Sequence, residues 1–236
     1  MNRRLTNAIR FAMDELLPPI VRDSAWLMAP LYWAAYRGKN VRRMMQLKRD
    51  IWSYTPEQYR ELYEGLTSIS RDRPTDLNAR CEAAILSAIE PEDRRILDVG
   101  CGSGHLLRTL AARYPGREYV GLDVARPVLQ PSEGITLRQG DIHRLALDPA
   151  SFDVVLSCHV LEHLLDYRAA IRQMVAAARR KVIFVVPIQR PYFHTLDEHV
   201  NFFLFPEQLA FEVGLARHEC RRLDGDLFYR GDITST

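Results

Sequence analysis

From about residue 95 onward, short apolar runs alternate with stretches of helical period. The runs are Ile96–Val99, Glu118–Leu122, Ile135–Arg138, Phe152–Ser157 and Lys181–Val186, the last β-branched and closed by Pro187. Runs of this length predict strands, and the apolar positions 96, 97 and 99 suit a strand buried on both faces. Leu106–Arg113 and Tyr167–Ala178 carry the helical period between them. Strand, helix and strand in this succession predict parallel pairs joined by right-handed crossovers. Ile188–Val200 reads as a loop, Pro206 opens another helix, and Cys220–Leu223 with Leu227–Ile233 read as an antiparallel hairpin around Asp224-Gly225-Asp226. Upstream the pattern is helical throughout. Leu5, Ile9, Met13, Leu16 and Leu17 share a face of a helix that Pro18-Pro19 ends. Tyr59, Leu62, Tyr63 and Leu66 mark a helix within 50–74 with Pro56 in its first turn, and Arg71–Pro74 reads as a linker. Thr75 or Asp76 is placed to cap a helix reaching about Glu90, with Leu77, Cys81, Ala84, Ile85 and Ala88 inward.

A length of 236 residues suits one α/β domain with an extension: 1–74 as a helical N-terminal extension and 75–236 as the main domain. Net charge is +2, but residues 1–49 hold ten Lys and Arg against three Asp and Glu, while the remainder holds 22 against 27. The balanced total gives no nucleic-acid signature, and the basic end points to an anionic neighbour. Cys81, Cys101, Cys158 and Cys220 are dispersed and form no C-x-x-C pair, which argues for a reducing compartment and against a disulfide frame or a cysteine zinc site. Asp14, Glu15 and the two prolines interrupt any leader-like run, and no apolar stretch approaches the ~20 residues of a membrane span. A cytoplasmic location follows, with a peripheral position at the inner face of a membrane as a variant. Trp26 to Tyr36 is dense in aromatic residues, and Arg37, Lys39, Arg42, Arg43, Lys48 and Arg49 follow. Such a segment serves either as a cap on its own domain or a sister subunit, or as an interfacial anchor. Breaks at Pro18, Pro19 and Gly38 favour the cap, with any membrane contact weak and reversible.

The densest chemistry lies in Ile96-Leu97-Asp98-Val99-Gly100-Cys101-Gly102-Ser103-Gly104-His105. A strand ends in a carboxylate, a glycine-rich turn follows, and a helix begins, its free N–H groups suited to a carboxylate. The dinucleotide fingerprint fails because the third glycine position falls on His105, and no Gly-Lys-Ser/Thr follows to make a P-loop. The pattern Asp98-Val-Gly100-Cys-Gly102-Ser-Gly104 instead resembles the first motif of class I S-adenosylmethionine-dependent methyltransferases. The resemblance covers about residues 75–233. It implies an α/β, Rossmann-like, doubly wound seven-stranded and mostly parallel sheet, with S-adenosyl-L-methionine as cofactor. One departure stands out: where the family places a full helix, Val124–Gly134 is short and carries Pro127 and Pro131. An N-terminal helix like that of residues 50–74 covers the active site in many family members.

On this resemblance the cofactor residues are Asp98, Gly100, Cys101, Gly102, Gly104, Asp123, Val124, Asp141, Ile142 and Ser157. Asp123, at a strand end, can accept both ribose hydroxyls. Asp141 can accept from the adenine amino group while the Ile142 N–H donates to the ring, and Leu122, Val124 and Ile142 can enclose the purine. Backbone at Gly100 and Ser157 meets the methionine ammonium, with Asp98 acting through water. A base is needed only where the acceptor carries a proton, and His159, His163, His194 and His199 follow strands four and five at the ligand edge. His159, just past the fourth strand, is the first choice, with His163 and His199 beside it. A metal site is the rival reading. His159, Glu162 and His163 at i, i+3 and i+4 would share a helical face, with His199 closing the set. This is similar to the Glu-x-x-Glu-His motif of ubiquinone-pathway O-methyltransferases and small-RNA end methyltransferases, with His159 in place of the first Glu. The Leu-Glu-His sequence also recurs without metal, and activity without a divalent metal is the expectation.

Two functions follow. The first is methyl transfer to a small molecule, lipid-like or quinone-like. The second is a non-catalytic cofactor-binding subunit that recruits a partner or membrane. A homodimer and a weak peripheral membrane contact are the partners to consider, and nucleic acid is not expected.

Overall fold

The computed structural model describes residues 8, 9, 11–65, 75–125, 134–144 and 147–234. Leu5, Leu66, the Arg71–Pro74 linker, Pro127 and Pro131 lie outside them. Seven strands form one sheet: β1 Arg95–Val99, β2 Glu118–Asp123, β3 Ile135–Gln139, β4 Phe152–Cys158, β5 Ala178–Pro187, β6 Arg217–Leu223 and β7 Asp226–Asp232. Their order is β3-β2-β1-β4-β5-β7-β6. The first five run parallel, and β7 pairs antiparallel with both β5 and β6. This is the expected Rossmann-like sheet, with the hairpin starting earlier, at Arg217.

Side chains alternate faces along each strand, so successive apolar residues feed two separate cores. Leu97, Val99, Val120, Leu122, Val155, Val182, Phe184 and Val186 join one core. Ile96, Tyr119, Val154, Leu156, Ile183 and Val185 join the other. Helices α5 (Ala79–Ala88) and α6 (His105–Arg113) cover the second core; α7 (Tyr167–Ala177) and α8 (Pro206–Val213) cover the first. The cap of α5 is not Thr75 or Asp76. Asn78 holds that place, its Oδ1 accepting from the Cys81 N–H at 2.7 Å while its Nδ2 donates to Asp226 Oδ2 at 2.9 Å. An asparagine does both tasks because it carries an acceptor and a donor on one short side chain.

The upstream segment folds as α1 (Pro19–Arg22), α2 (Ala25–Ala35), α3 (Val41–Asp50) and α4 (Pro56–Glu64), with a π-helical turn at Ala12–Leu16 and a 3-10 turn at Ile51–Ser53. Thr55 and Gln58 close a reciprocal capping box at the start of α4, leaving two fewer orphan N–H groups there. A third core gathers Met28, Tyr32, Tyr36, Met44, Leu47, Ile51, Tyr59, Leu62 and Tyr63, against which Val124, Leu165, Tyr192, Leu196 and Val200 pack. The expected apolar face of the first helix is not formed as one unit. Met13 is buried, whereas Ile9 and Leu16 are exposed. The cap reading of Trp26–Tyr36 is met on one side only. Met28, Tyr32 and Tyr36 turn inward at four-residue spacing, while Trp26, Leu27, Leu31 and Trp33 face outward. Among the described residues no helix is long and apolar enough to cross a membrane.

Candidate active site

A cleft of about 510 Å³ opens at the carboxyl ends of β1, β2, β3 and β4, lined there by Val99, Asp123, Gly140 and Cys158 among others. Ligands of open parallel sheets sit at that edge. One wall is the turn after β1. Gly100 adopts φ +78°, and a Cβ there would stand 2.1 Å from Val160 Cγ2, so only glycine fits. Its N–H and that of Cys101 both donate to the Leu122 carbonyl, at 2.6 and 3.1 Å, which ties the turn to β2. At Gly102 a Cβ would meet nothing within 4 Å, so the loop presents bare backbone to open space. Asp123 faces it, accepting from the Gly102 N–H at 2.8 Å and from the Ala125 N–H at 2.9 Å.

Asp98 is buried at the cleft wall, and its carboxyl is pushed up to about 7, first by loss of solvent and then by the neighbouring Asp123 charge. Asp141 and Ile142 line the opposite side, with Asp141 Oδ1 accepting from the His143 N–H at 2.9 Å. Cys101 and Val124 also lie in the wall. Two expected cofactor residues do not. Ser157 is buried and its Oγ donates to the Val99 carbonyl at 3.1 Å, with Cys158 lining the cleft in its stead. Gly104 is the residue that precedes α6 and lies under the loop.

The segment after β4 is not a helix, so the expected shared face of His159, Glu162 and His163 does not form. His159 takes a left-handed φ of +57° and donates its N–H to the Val185 carbonyl at 2.8 Å, which throws its ring inward. There Nδ1 lies 3.4 Å from Glu162 Oε1 and Nε2 lies 3.4 Å from Asp226 Oδ2. Burial opposes the imidazolium, but the two carboxylates outweigh it and raise its pKa. Burial likewise opposes the Glu162 carboxylate, and the three histidines around it more than compensate. A ring kept protonated by two carboxylates suits an anchor between β4 and β7 better than a base.

His159 and His163 both line the cleft, but the two rings are held differently. The His163 Nδ1 donates to the Glu198 carbonyl at 3.3 Å, an assignment that leaves the lone pair on Nε2. Tyr63 meets the ring edge-on at 5.7 Å and His199 at 4.9 Å. Glu162, His163 and His199 bring one donor atom each within 4.8 Å of one another. His199 itself lies behind the wall, its Nδ1 on the Gln189 Oε1. His194 packs edge-on against Tyr32 at 6.0 Å and does not line the cleft.

The cover comes from the N-terminal helices. Tyr59 and Tyr63 line the cleft, and both hydroxyls donate to the His163 carbonyl, at 3.1 and 3.5 Å. Tyr36 donates to Glu198 Oε1 at 3.2 Å, and Glu198 also lines the cleft. Lys48 Nζ reaches Thr195 Oγ1 at 2.5 Å and the Asp197 carbonyl at 3.3 Å. Burial lowers the Lys48 pKa, against the pull of Asp197 and Glu198. Glu198, Asp76 and Cys158 were not foreseen as site residues. The only trace of Glu198 in the sequence is the charged triplet Asp197-Glu198-His199 within a predicted loop.

Residues 97–186 match the family described as "Methyltransferase domain". The ubiquinone biosynthesis O-methyltransferase of Idiomarina loihiensis is 32% identical over 120 residues, 47% of this chain and 46% of that protein. The chain thus spans about half the length of the curated relatives it matches. In fold it is similar to a chain of the complex containing the Haloferax volcanii Trm112 methyltransferase activator, with a TM-score of 0.57, 14% identity and coverage of 74% of this chain and 97% of that one. An S-adenosylmethionine-dependent methyltransferase from Mesorhizobium loti gives 0.51 at 18% identity, covering 65% and 98%. The 3-2-1-4-5-7-6 sheet, the Asp98–Gly104 turn at its cleft and the match over 97–186 agree: residues 97–186 are a methyltransferase domain, set in the sheet of the class I S-adenosylmethionine-dependent fold.

Proposed function

We propose that this protein transfers a methyl group from S-adenosyl-L-methionine to a small-molecule acceptor that loses a proton on methylation. The observation that carries this reading is the two-sided cleft. Bare backbone at Gly102 with Asp98, Asp123 and Asp141 makes one side; His163, Tyr59, Tyr63 and Glu198 make the other. The cofactor, when bound, supplies a methyl group already activated on a sulfonium, so the protein's task is alignment. Asp123, oriented by two backbone N–H groups at the end of β2, would accept the ribose hydroxyls. Asp141 and Ile142 would receive the adenine, and Asp98 would balance the methionine ammonium. His163 takes the acceptor proton on Nε2, oriented by the Glu198 carbonyl. Tyr59, Tyr63 and α4 exclude water from the acceptor side. The test is calorimetric titration with S-adenosylhomocysteine, then incubation of the protein with methyl-labelled cofactor and a metabolite extract. Micromolar binding with label in a small molecule supports the reading. Binding without any transfer supports a cofactor-binding subunit in its place.

A second reading has an observation of its own, the convergence of Glu162, His163 and His199. Two imidazoles and a carboxylate suit a borderline divalent cation, and both Glu162 oxygens are buried without a hydrogen bond. Those three would hold the ion, and it would polarise an acceptor oxygen. Loss of transfer on exhaustive chelation, restored by added magnesium or zinc, would place this reading first. None of the four cysteines forms a disulfide, which supports a reducing, cytoplasmic location.

A further inference from the structure

Helix α2 has an outward face that a globular protein does not ordinarily leave in water. At ~100° per residue its exposed positions from Trp26 onward span an arc of roughly 160°. That arc contains Trp26, Leu27, Pro30, Leu31, Trp33 and Ala34, and no polar side chain. Trp26 is 91% exposed and Trp33, two turns on, 65%. The opposite face is spent on the third core through Met28, Tyr32 and Tyr36. The helix is therefore apolar all round yet covered on one side only. The chain that follows is exposed and basic at Arg37, Lys39, Arg42 and Arg43, and from Ser24 to Arg49 there is no Asp or Glu.

We propose that this face of α2 docks on an anionic lipid bilayer, with the tryptophans at the headgroup level and the basic residues on the phosphates. The charge argues for that occupant. A second copy of the chain, joined across a two-fold axis, would lay the basic flank against itself. An anionic surface accepts both the apolar arc and the flank, and tryptophan is the side chain suited to the interface between them. The helix is too short to span and lies along the protein surface, so the contact is peripheral and reversible. The inference does not rest on methyl transfer, and the two stand or fall separately.

The experiment is flotation of the full chain with phosphatidylcholine vesicles, with and without phosphatidylglycerol, read also by intrinsic fluorescence. All three tryptophans, Trp26, Trp33 and Trp52, lie in the N-terminal segment and are exposed, so emission reports this region alone. The expected result is binding at least about tenfold stronger to the anionic vesicles, reversed by salt, with a blue shift in emission. Trp26→Ser with Trp33→Ser, and separately Arg42→Glu with Arg43→Glu, should each abolish it. Both variants should keep the wild-type thermal transition, since neither pair is buried. Absence of flotation, or equal, salt-insensitive binding to neutral vesicles, overturns the proposal. So does a concentration-dependent dimer in sedimentation that the tryptophan variant dissociates, which would show a second copy on this face.

Discussion

The Gly102 N–H donates to Asp123 Oδ2 at 2.8 Å, a bond that joins the turn after β1 to the end of β2 across 21 positions. One carboxylate thereby fixes the shape of this side of the cleft. Asp123→Ala should weaken S-adenosylhomocysteine binding by more than tenfold, since loss of a charge-assisted pair costs about 1.5–3 kcal/mol. Calorimetry on the folded variant is the check, and unchanged affinity would remove Asp123 from the site.

Asp98 makes binding and stability depend on pH. In the folded protein without ligand it holds its proton up to about pH 7, against about 4 in the unfolded chain. The native state thus binds more protons between those values, and stability falls as pH rises through them, by on the order of 3–4 kcal/mol. Asp98→Asn should erase this slope and leave the variant more stable than wild type at pH 8. A ligand ammonium reverses the balance by favouring the carboxylate. Affinity should rise between pH 5 and about 7 with proton release, seen as a buffer-dependent heat; a heat that is the same in all buffers would contradict it.

His159 and His163 should fail in different ways. His159→Ala strands the buried Glu162 and Asp226 carboxylates and should cost about 3–5 kcal/mol, lowering Tm by about 10 °C. Because its pKa is raised on folding, that stabilisation is whole below pH 6 and is lost only as pH rises into the alkaline range. His163→Ala should leave Tm within a few degrees and S-adenosylhomocysteine binding intact, while label transfer falls about 100-fold or more. Equal transfer by wild type and His163→Ala would show that the acceptor needs no base there.

Gly100→Ala tests the close packing of the turn. The added methyl meets Val160 Cγ2 at 2.1 Å in a backbone with φ +78°. Overpacking and left-handed strain together should cost about 2–4 kcal/mol. Chemical denaturation should show that loss, and the double variant with Val160→Ala should recover part of it, because the contact is then relieved and the strain is not.

The donor side was legible because each part is local. Asp98, Gly100 and Gly102 lie within five residues, and Asp123 and Asp141 end or follow strands that the apolar runs already mark. The sheet was legible for the same reason, down to the hairpin. The acceptor side was legible only in part: His163 and a covering helix within 50–74 were expected, but the contacts between distant pieces were not. No local pattern says that Tyr36 meets Glu198 across 162 positions or that Asn78, rather than Thr75, has a partner in Asp226. The helical face read for His159, Glu162 and His163 does not form, because His159 turns left-handed, yet His159 still meets Glu162 at 3.4 Å. The outward arc of α2 was hidden by its own uniformity: a helix apolar on every side does not declare which side is covered.

The grip of α3 and α4 on residues 163–198 through Lys48, Tyr59 and Tyr63 has a consequence for how such a protein diversifies. In the proposed function donor recognition falls between Asp98 and Asp141, whereas the far wall is shared between α4, the segment after β4 and a loop past β5. Substitutions in that upstream stretch can therefore reshape what is methylated while the donor pocket keeps its sequence. Two such proteins could agree closely over 97–186 and yet serve unrelated acceptors, the difference residing in three tyrosines and a lysine.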